Sequence, residues 1–519
     1  MKHTKKLSAI ILSAVMLTTA CSGSTSSDSG TQIKDSDPAV SENAGTNDTA
    51  DSTDSSNDTV SASKSVKDVI GDIKVDTKVK FLGWYDLNNS NVADTYKELF
   101  GVPEKIPSGY EKIKYRKSSS GSTADEEPFV SIKVSNYSER YFDLAKLIQS
   151  DDSPDAFPCE SMFPYYSIDH DSNLLFAPVD DIIDFSLAEF AQYEQAQKKT
   201  TIGRSNFAPV YDAKLSEYLW YKTSTIKENG LEDPWELYEN DEWTWSKFLE
   251  MSEKFTDKEK GKYAIDGYST DFYLWQTTGS SLVELSDGKL KGNFKDEKII
   301  KAMDFIRQFA PSQKGYRYPK ETENNWSPSY PEWINGNTLF FNDGSWRYDE
   351  TWQLYKNKKK WSDDEISFVP FPRCDDEKTY YQNVNVDSYL LPKGAKNIEG
   401  YKALIYSEAY VANDETIKSR LKESKKSEYD WTDRLLDRFS EINDPAAFSP
   451  VIEYKSSCEP DIYSTGCYSD PVREITDLCY IHGKDYLKSL DSEEYKSNVP
   501  LINQTIDDIN DRIESNLAN

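Results

Sequence analysis

The 519-residue sequence predicts an α/β protein built of two lobes. Along most of the chain, β-prone runs alternate with stretches of helical periodicity, the pattern of sheets flanked by helices. The length allows two or more domains at roughly 100–200 residues each. A third observation places a candidate site. Thr338 to Phe341 is an apolar, β-prone run, broken at once by the turn residues Asn342, Asp343, Gly344 and Ser345, and Trp346 follows. In open α/β sheets, ligands sit just beyond the carboxyl ends of the strands. Trp346 there either stacks on a ligand or seals a core.

The N-terminus precedes any lobe. Lys2, Lys5 and Lys6 form a positive region, and Leu7 to Leu17 is an apolar run of signal-peptide length, too short for a bilayer. Residues 1–20 are therefore expected to be a signal peptide. Residues 21–75 are expected to be a tether, because 22–64 is Ser, Thr, Asp, Asn and Gly with almost no large apolar side chain. Such a stretch cannot offset its conformational entropy by burial. No later run approaches the ~18 apolar residues of a membrane span.

The net charge is −29, from 90 Asp and Glu against 61 Lys and Arg. That argues against nucleic acid or an anionic bilayer as partner, since both demand a basic surface. The 34 Tyr, 22 Phe and 12 Trp are many for so polar a chain. Rings with apolar faces and polar rims suit carbohydrate, and some of them must also build the core. Five Cys lie beyond Cys21, namely Cys159, Cys374, Cys458, Cys467 and Cys479, and an odd count cannot pair fully. Cys458 and Cys467 flank a loop that a small disulfide could close. There is no Cys-x-x-Cys, and the only histidines are His3, His170 and His482, so neither a metal nor a cofactor is expected.

The stretch Asn342 to Trp346 resembles the Gly-Ser-Trp segment of extracellular solute-binding proteins of the sugar-binding, maltose-binding-protein-like class, the receptors of ABC importers. Further segments are similar to that family in the same order, from Val79 to the C-terminus. Leu17-Thr18-Thr19-Ala20-Cys21 resembles a lipobox, with Leu four rather than three residues before the Cys. The resemblance implies cleavage before Cys21 and lipidation of its thiol; an ordinary secretory signal is the alternative. Val79 to Asp86 resembles the first strand, whose following loop faces the ligand, so Trp84, Tyr85 and Asp86 are expected to bind it. Asp86 could instead cap the next helix.

Helices are expected over Asp94 to Phe100 and, from the spacing of Tyr141, Leu144, Ala145 and Ile148, over Tyr137 to Ile148. Ser150 to Phe157 resembles the family's Asp turn and Pro-Asp strand. The loop after it implies ligand contacts from Glu160, Phe163 and Tyr165. Phe207 to Tyr221 resembles the first crossover, although the family's Tyr-Asn-Lys is here Tyr221-Lys222-Thr223. Gly230 to Tyr238 matches a well-marked segment. Thr244 reads as an N-cap, with Trp245, Phe248, Leu249 and Phe255 on one helical face, which makes Trp243 and Trp245 core residues. The resemblance carries ligand contact to Phe272, Tyr273 and Trp275. Phe272 and Trp275 share a helical face, so at least one of them is core. Ile299 to Phe309 and Ile502 to Leu517 read as helices. Ser367 to Pro372 and Tyr389 to Asn397 match the Phe-Pro segment and the last crossover. Trp346 and Arg347, with Tyr463 and Tyr468, complete the expected site.

The resemblance implies a two-lobed, periplasmic-binding-protein-like (Venus flytrap) fold with a multi-strand hinge that closes on ligand. The expected N-terminal lobe takes 76–210 and 342–388, and the C-terminal lobe 213–339 and 391–519. The expected function is a lipid-anchored, monomeric receptor on the outer face of the bacterial membrane. It captures a carbohydrate and delivers it to ABC permease subunits. No Gly-x-Ser-x-Gly, phosphate-loop or His-Glu-x-x-His motif points to an enzyme. A surface-anchored glycoside hydrolase, or a receptor of this fold for peptides or another polar solute, are the alternatives.

Overall fold

In the computed structural model, residues 64–107, 128–137, 139–160, 163–166, 174–268, 270–319, 328–458, 471–493 and 495–517 are described. Cys21, Tyr463, Cys467 and Tyr468 lie outside them, as do the expected signal peptide and most of the tether.

The expected tether ends earlier than residue 75: the helix Val66–Val69 buries Val66, and Ile73 joins it in the first lobe's core, because these apolar side chains find cover there. β1 (Val79–Gly83) follows and pairs in parallel with β2 (Val130–Val134), Gly83 opposite Val134. Every β1 residue is buried, as expected of a parallel strand covered on both faces. β3 (Phe157–Pro158) runs beside β1, with Leu82 N–H donating to Ala156 O at 3.1 Å. β4 (Phe176–Ala177) and the small hairpin of β5 (Thr201–Ile202) and β6 (Ser205–Asn206) follow. The chain then leaves through β7 (Asp212–Leu215).

The second lobe is built on β8 (Tyr218–Lys222), β9 (Tyr263–Gly267), the hairpin of β10 (Val283–Ser286) and β11 (Lys289–Gly292), β12 (Thr338–Asp343) and β13 (Ile366–Val369). Its main sheet has the order β13-β8-β12-β9. β14 (Tyr381–Asp387) carries the chain back to β15 (Tyr389–Pro392), which pairs with β3 and β4. The helix Ile398–Asn413 then packs on the helix Asn91–Phe100. The helix Glu415–Tyr429 makes the third crossing: Ile417 packs in the first core and Tyr429 against the second. Finally β16 (Ser449–Val451) joins β14 and β7 in a three-stranded sheet of order β16-β14-β7, the hinge.

These pairings correct the expected lobe boundaries. β12 and β13 belong with β8 and β9, so the segment 342–388 does not join the N-terminal lobe. Likewise β15 and the helix Ile398–Asn413 join the first lobe, not the second. The reason is that β12 is buried along its whole length between β8 and β9. Its apolar run declares a central strand but not the sheet that receives it.

Local expectations hold where short-range chemistry decides them. Thr244 Oγ1 accepts from Lys247 N–H at 3.4 Å and caps the helix Trp245–Phe255, with Trp245, Phe248 and Phe255 buried. Trp243 is also buried, and donates its indole N–H to Pro370 O at 2.8 Å. The helices Arg140–Gln149, Glu297–Arg307 and Asn498–Leu517 stand on or beside the expected spans. Among the described residues no helix is long and apolar enough to cross a membrane.

One glycine is required by close approach. Gly267 ends β9 at φ 137°, and a Cβ there would come within 2.4 Å of Asn342 O. The strain of that backbone region and the overlap add, each costing about 1–3 kcal/mol. Gly267→Ala is expected to lower stability by about 2–6 kcal/mol in chemical denaturation.

Candidate functional site

Strand direction decides where a ligand can sit. In the second lobe, register places Asp343 opposite Tyr218, Asn342 opposite Gly267, and Val369 opposite Leu219. The carboxyl ends of β9, β12 and β13 therefore share an edge with the start of β8. Glu217, Tyr268, Trp346 and Phe371 emerge there. In the first lobe the carboxyl ends of β1, β2 and β3 share an edge with the start of β15, since Tyr389 lies opposite Pro158 and Cys159 N–H donates to Ser388 O at 3.0 Å. Trp84, Tyr137 and Glu160 emerge from that edge. The hinge strand β7 ends three residues before β8 starts, and β14 ends two residues before β15 starts. Both crossovers thus join one ligand-type edge to the other, with the hinge strands between them.

On the first lobe, a buried guanidinium organises the edge. Arg140 donates from Nε at 2.9 Å and from Nη2 at 2.5 Å, both to Glu160 Oε2, and Tyr141 OH donates to the same oxygen at 3.3 Å. Oε1 is left for another donor. The Arg140 guanidinium also lies 3.7 Å from the Tyr137 ring centre, 4.9 Å from that of Tyr141 and 5.5 Å from that of Trp84. Trp84 is half-buried and meets Tyr137 edge-on at 5.1 Å. Tyr85 OH donates to Tyr389 OH at 3.4 Å. Asp86 Oδ1 accepts from Asn88 N–H at 3.0 Å and caps the turn Leu87–Asn89. Asn88 in turn bonds Phe129 N–H at 3.0 Å, which ties this loop to the start of β2.

On the second lobe, Arg347 and Asp343 pair at 2.6 Å, Nε to Oδ2. Asp343 Oδ1 accepts from Gly344 N–H at 2.9 Å. Trp346 is half-buried and folds back over Gly344, where a Cβ would come within 2.4 Å of the indole nitrogen. The Arg347 guanidinium stacks on that indole at 4.1 Å and on Tyr330 at 4.6 Å. Arg347, expected to reach a ligand, is only 7% exposed and instead backs the ring. Tyr273 is half-buried and stacks on Phe371 at 5.4 Å, with its phenol near the Glu217 carboxyl. Glu217 Oε2 is shielded from solvent and meets no donor among the described residues. Burial first, and then the Asp343 charge, push the Glu217 carboxyl well above its usual range, while burial lifts Asp343 to about 6.

Two expected ring contacts are corrected. Trp275 is 1% exposed, because Asp271, Leu274 and Trp275 form the buried face of the helix Thr270–Gln276. Phe272 is half-buried and meets Trp275 edge-on at 5.3 Å. Phe163 is also 1% exposed, its ring 6.4 Å from that of Tyr454. For Trp275 helical spacing names a face and leaves open what covers it; for Phe163 position on a loop says nothing of which side chains turn inward. Tyr165 lies in the helix Phe163–Tyr166. Sequence reading missed Arg140 and Glu217. The only signal for Glu217 was the polar pair Ser216-Glu217 interrupting the apolar run of the first crossover.

The sequence model described as bacterial extracellular solute-binding protein matches residues 124–417, more than half of the chain. The chain belongs to this family. Its members are solute-binding proteins, and the two-lobed α/β architecture agrees with solved relatives. The sugar-binding protein MalE from Xanthomonas citri is 14% identical, covering 85% of this chain and 98% of its own, with a TM-score of 0.54. The cyclic α-maltosyl-1,6-maltose binding protein from Arthrobacter globiformis is 13% identical over 83% of this chain and 98% of its own, with a TM-score of 0.52. MalE from Listeria monocytogenes, solved with maltose, is 13% identical over 83% and 98%, with a TM-score of 0.51. At these identities the likeness establishes the fold. No curated protein matches the chain by sequence.

Two outcomes follow from the charged pairs. Arg140→Ala leaves Glu160 shielded without its partner, and is expected to cost about 3–5 kcal/mol in denaturant unfolding. For Glu217, a raised carboxyl pKa means a proton held more tightly in the folded state. Wild-type stability is therefore lost as pH rises above the ordinary carboxyl range. Glu217→Gln should remove that loss, so its melting temperature gains on wild type at pH 8 relative to pH 5.

Proposed function

We propose that the protein is a lipid-anchored, extracellular receptor that captures a carbohydrate between its lobes and hands it to the permease subunits of an ABC importer. The observation that carries this reading is the matched furnishing of the two edges. Each offers half-buried rings, Trp84 and Tyr85 on one side and Trp346 and Tyr273 on the other. Each also holds a carboxyl, Glu160 oriented by Arg140 on one side and Glu217, close to Tyr273, on the other. Stacking supplies area to a sugar face, and an oriented carboxyl oxygen bonds its hydroxyls. The named ligands of the structural relatives, maltose among them, support the same class.

Cys21 carries the lipid, and the Ser- and Thr-rich stretch after it spaces the lobes from the membrane. The receptor acts as a monomer. Its two lobes take 64–210 with 389–417, and 218–369 with 430–517. Ligand must touch both, because only a ligand with different affinity for open and closed forms can drive closure.

A thermal-shift screen over malto-oligosaccharides and other glycans tests the reading, since a ligand that binds only the native state raises its melting temperature. The sugar should be recovered intact after incubation. For a hit, Trp346→Ala is expected to weaken binding by about 1–3 kcal/mol in calorimetry. Unchanged affinity would remove the indole from the site, and turnover of the glycan would replace the receptor with a hydrolase.

A further inference from the structure

The hinge carries a concentration of acid that neither the fold nor ligand capture requires. β7 and β14 run antiparallel, with Asp212 directly opposite Asp387. Like charges at directly opposed positions destabilise a strand pair. Lys214, two residues along β7, bonds Asp212 Oδ2, and Tyr193 OH donates to Asp212 Oδ1 at 3.2 Å. The Asp387 carboxylate takes no donor among the described residues. A third carboxyl comes from the first lobe: Glu408, on the helix Ile398–Asn413, accepts from Tyr389 OH at 3.0 Å. Tyr389 itself accepts from Tyr85, and the Tyr211 ring lies 6.0 Å from its own. The set facing the hinge is thus Asp212, Asp387, Glu408, Lys214 and the four phenols Tyr85, Tyr193, Tyr211 and Tyr389. Asp444 and Glu160 add charge at the margins, near Tyr193 and Tyr85. Three carboxyls share one ammonium.

We propose that Asp387 and Glu408, set against the Asp212–Lys214 pair, make the hinge a proton-operated switch. With protons bound, the crossover strands keep the conformer described here, in which Asp212 is buried and Asp387 and Glu408 are half-buried, partly shielded from water. With protons lost, repulsion across the strands favours a conformer in which the lobes part and the carboxyls are fully hydrated.

The direction follows from where the protons are held. Burial, opposed by the Tyr389 bond and reinforced by Asp387, lifts Glu408 to about 8. Burial and the facing Asp212 lift Asp387 to about 6. Both hold a proton more tightly here than they would in water. The shielded conformer is therefore favoured as pH falls from about 8 to about 6, and loses ground as pH rises through the same window. The ratio of parted to shielded forms changes by up to about tenfold per pH unit for each proton released. In a receptor that traps ligand by closing, such a hinge holds cargo under acid conditions and lets go under alkaline ones. The proposal stands whatever the ligand is.

The test needs no ligand. Spin labels at Lys146→Cys on the first lobe and Lys358→Cys on the second report the inter-lobe distance by pulsed electron resonance. The mean distance should lengthen between about pH 5.5 and about pH 8.5, across the window of the two carboxyls. In the same background, Asp387→Asn with Glu408→Gln should hold the pH 5.5 distribution at pH 8.5. Lys214→Met removes the compensating ammonium and should move the transition to higher pH. A distance distribution that ignores pH in the otherwise native chain overturns the proposal, as does a double variant that still responds.

Discussion

Everything in the second lobe depends on the position of one strand. β12 lies between β8 and β9, and its register with β8 sets Asp343 against Tyr218. That alignment puts the end of a buried central strand beside the point where the chain arrives from the hinge. Trp346 can stand at the ligand-type edge because the turn after Asp343 begins there and nowhere else. The Asp343–Arg347 pair fixes the turn, Gly344 leaves room for the indole to fold back, and the guanidinium supports it from behind. After Arg347, a π-helical turn over Tyr348–Trp352 leads into the next helix, an irregularity often found beside functional sites.

The same device appears on the opposite lobe with different parts. Arg140 is almost wholly buried, as is the Glu160 side chain it grips. Buried ion pairs gain little net stability, since desolvation offsets their attraction. What they give is geometry. Arg140 lies against three rings and directs Glu160, so that one oxygen is fixed and the other is free to bond. Each edge therefore carries an indole against a buried guanidinium, and on the first lobe the same guanidinium orients a carboxyl. Preorganisation of this kind lowers the ordering cost of binding a ligand rich in hydroxyls.

The hinge is electrostatically different from the edges it joins. At those edges Glu160 and Asp343 each pair with an arginine, whereas at the hinge Asp212, Asp387 and Glu408 lie around Lys214. A chain of net charge −29 has many acids to place on open surface. Two of them stand face to face on the crossover strands, Asp212 opposite Asp387, where the chain passes between the lobes.

The sequence by itself determined what depends on neighbours a few residues away. The capped helix after Thr244, the burial of Trp243 and Trp245, the strand from Val79 and the turn before Trp346 were all legible, because periodicity and turn chemistry act within one or two turns of chain. The family was legible too, from the order of such segments. Only the tertiary structure decided which sheet receives residues 338–369 and 389–392, that Trp275 and Phe163 face the core, and that Glu217 and Arg140 stand at the site. Those outcomes rest on contacts between distant positions. Tyr85 meets Tyr389 across 304 residues, and Trp220 donates to Asp343 O across 123. A local pattern can require that a side chain be covered, but the covering residue comes from elsewhere in the fold.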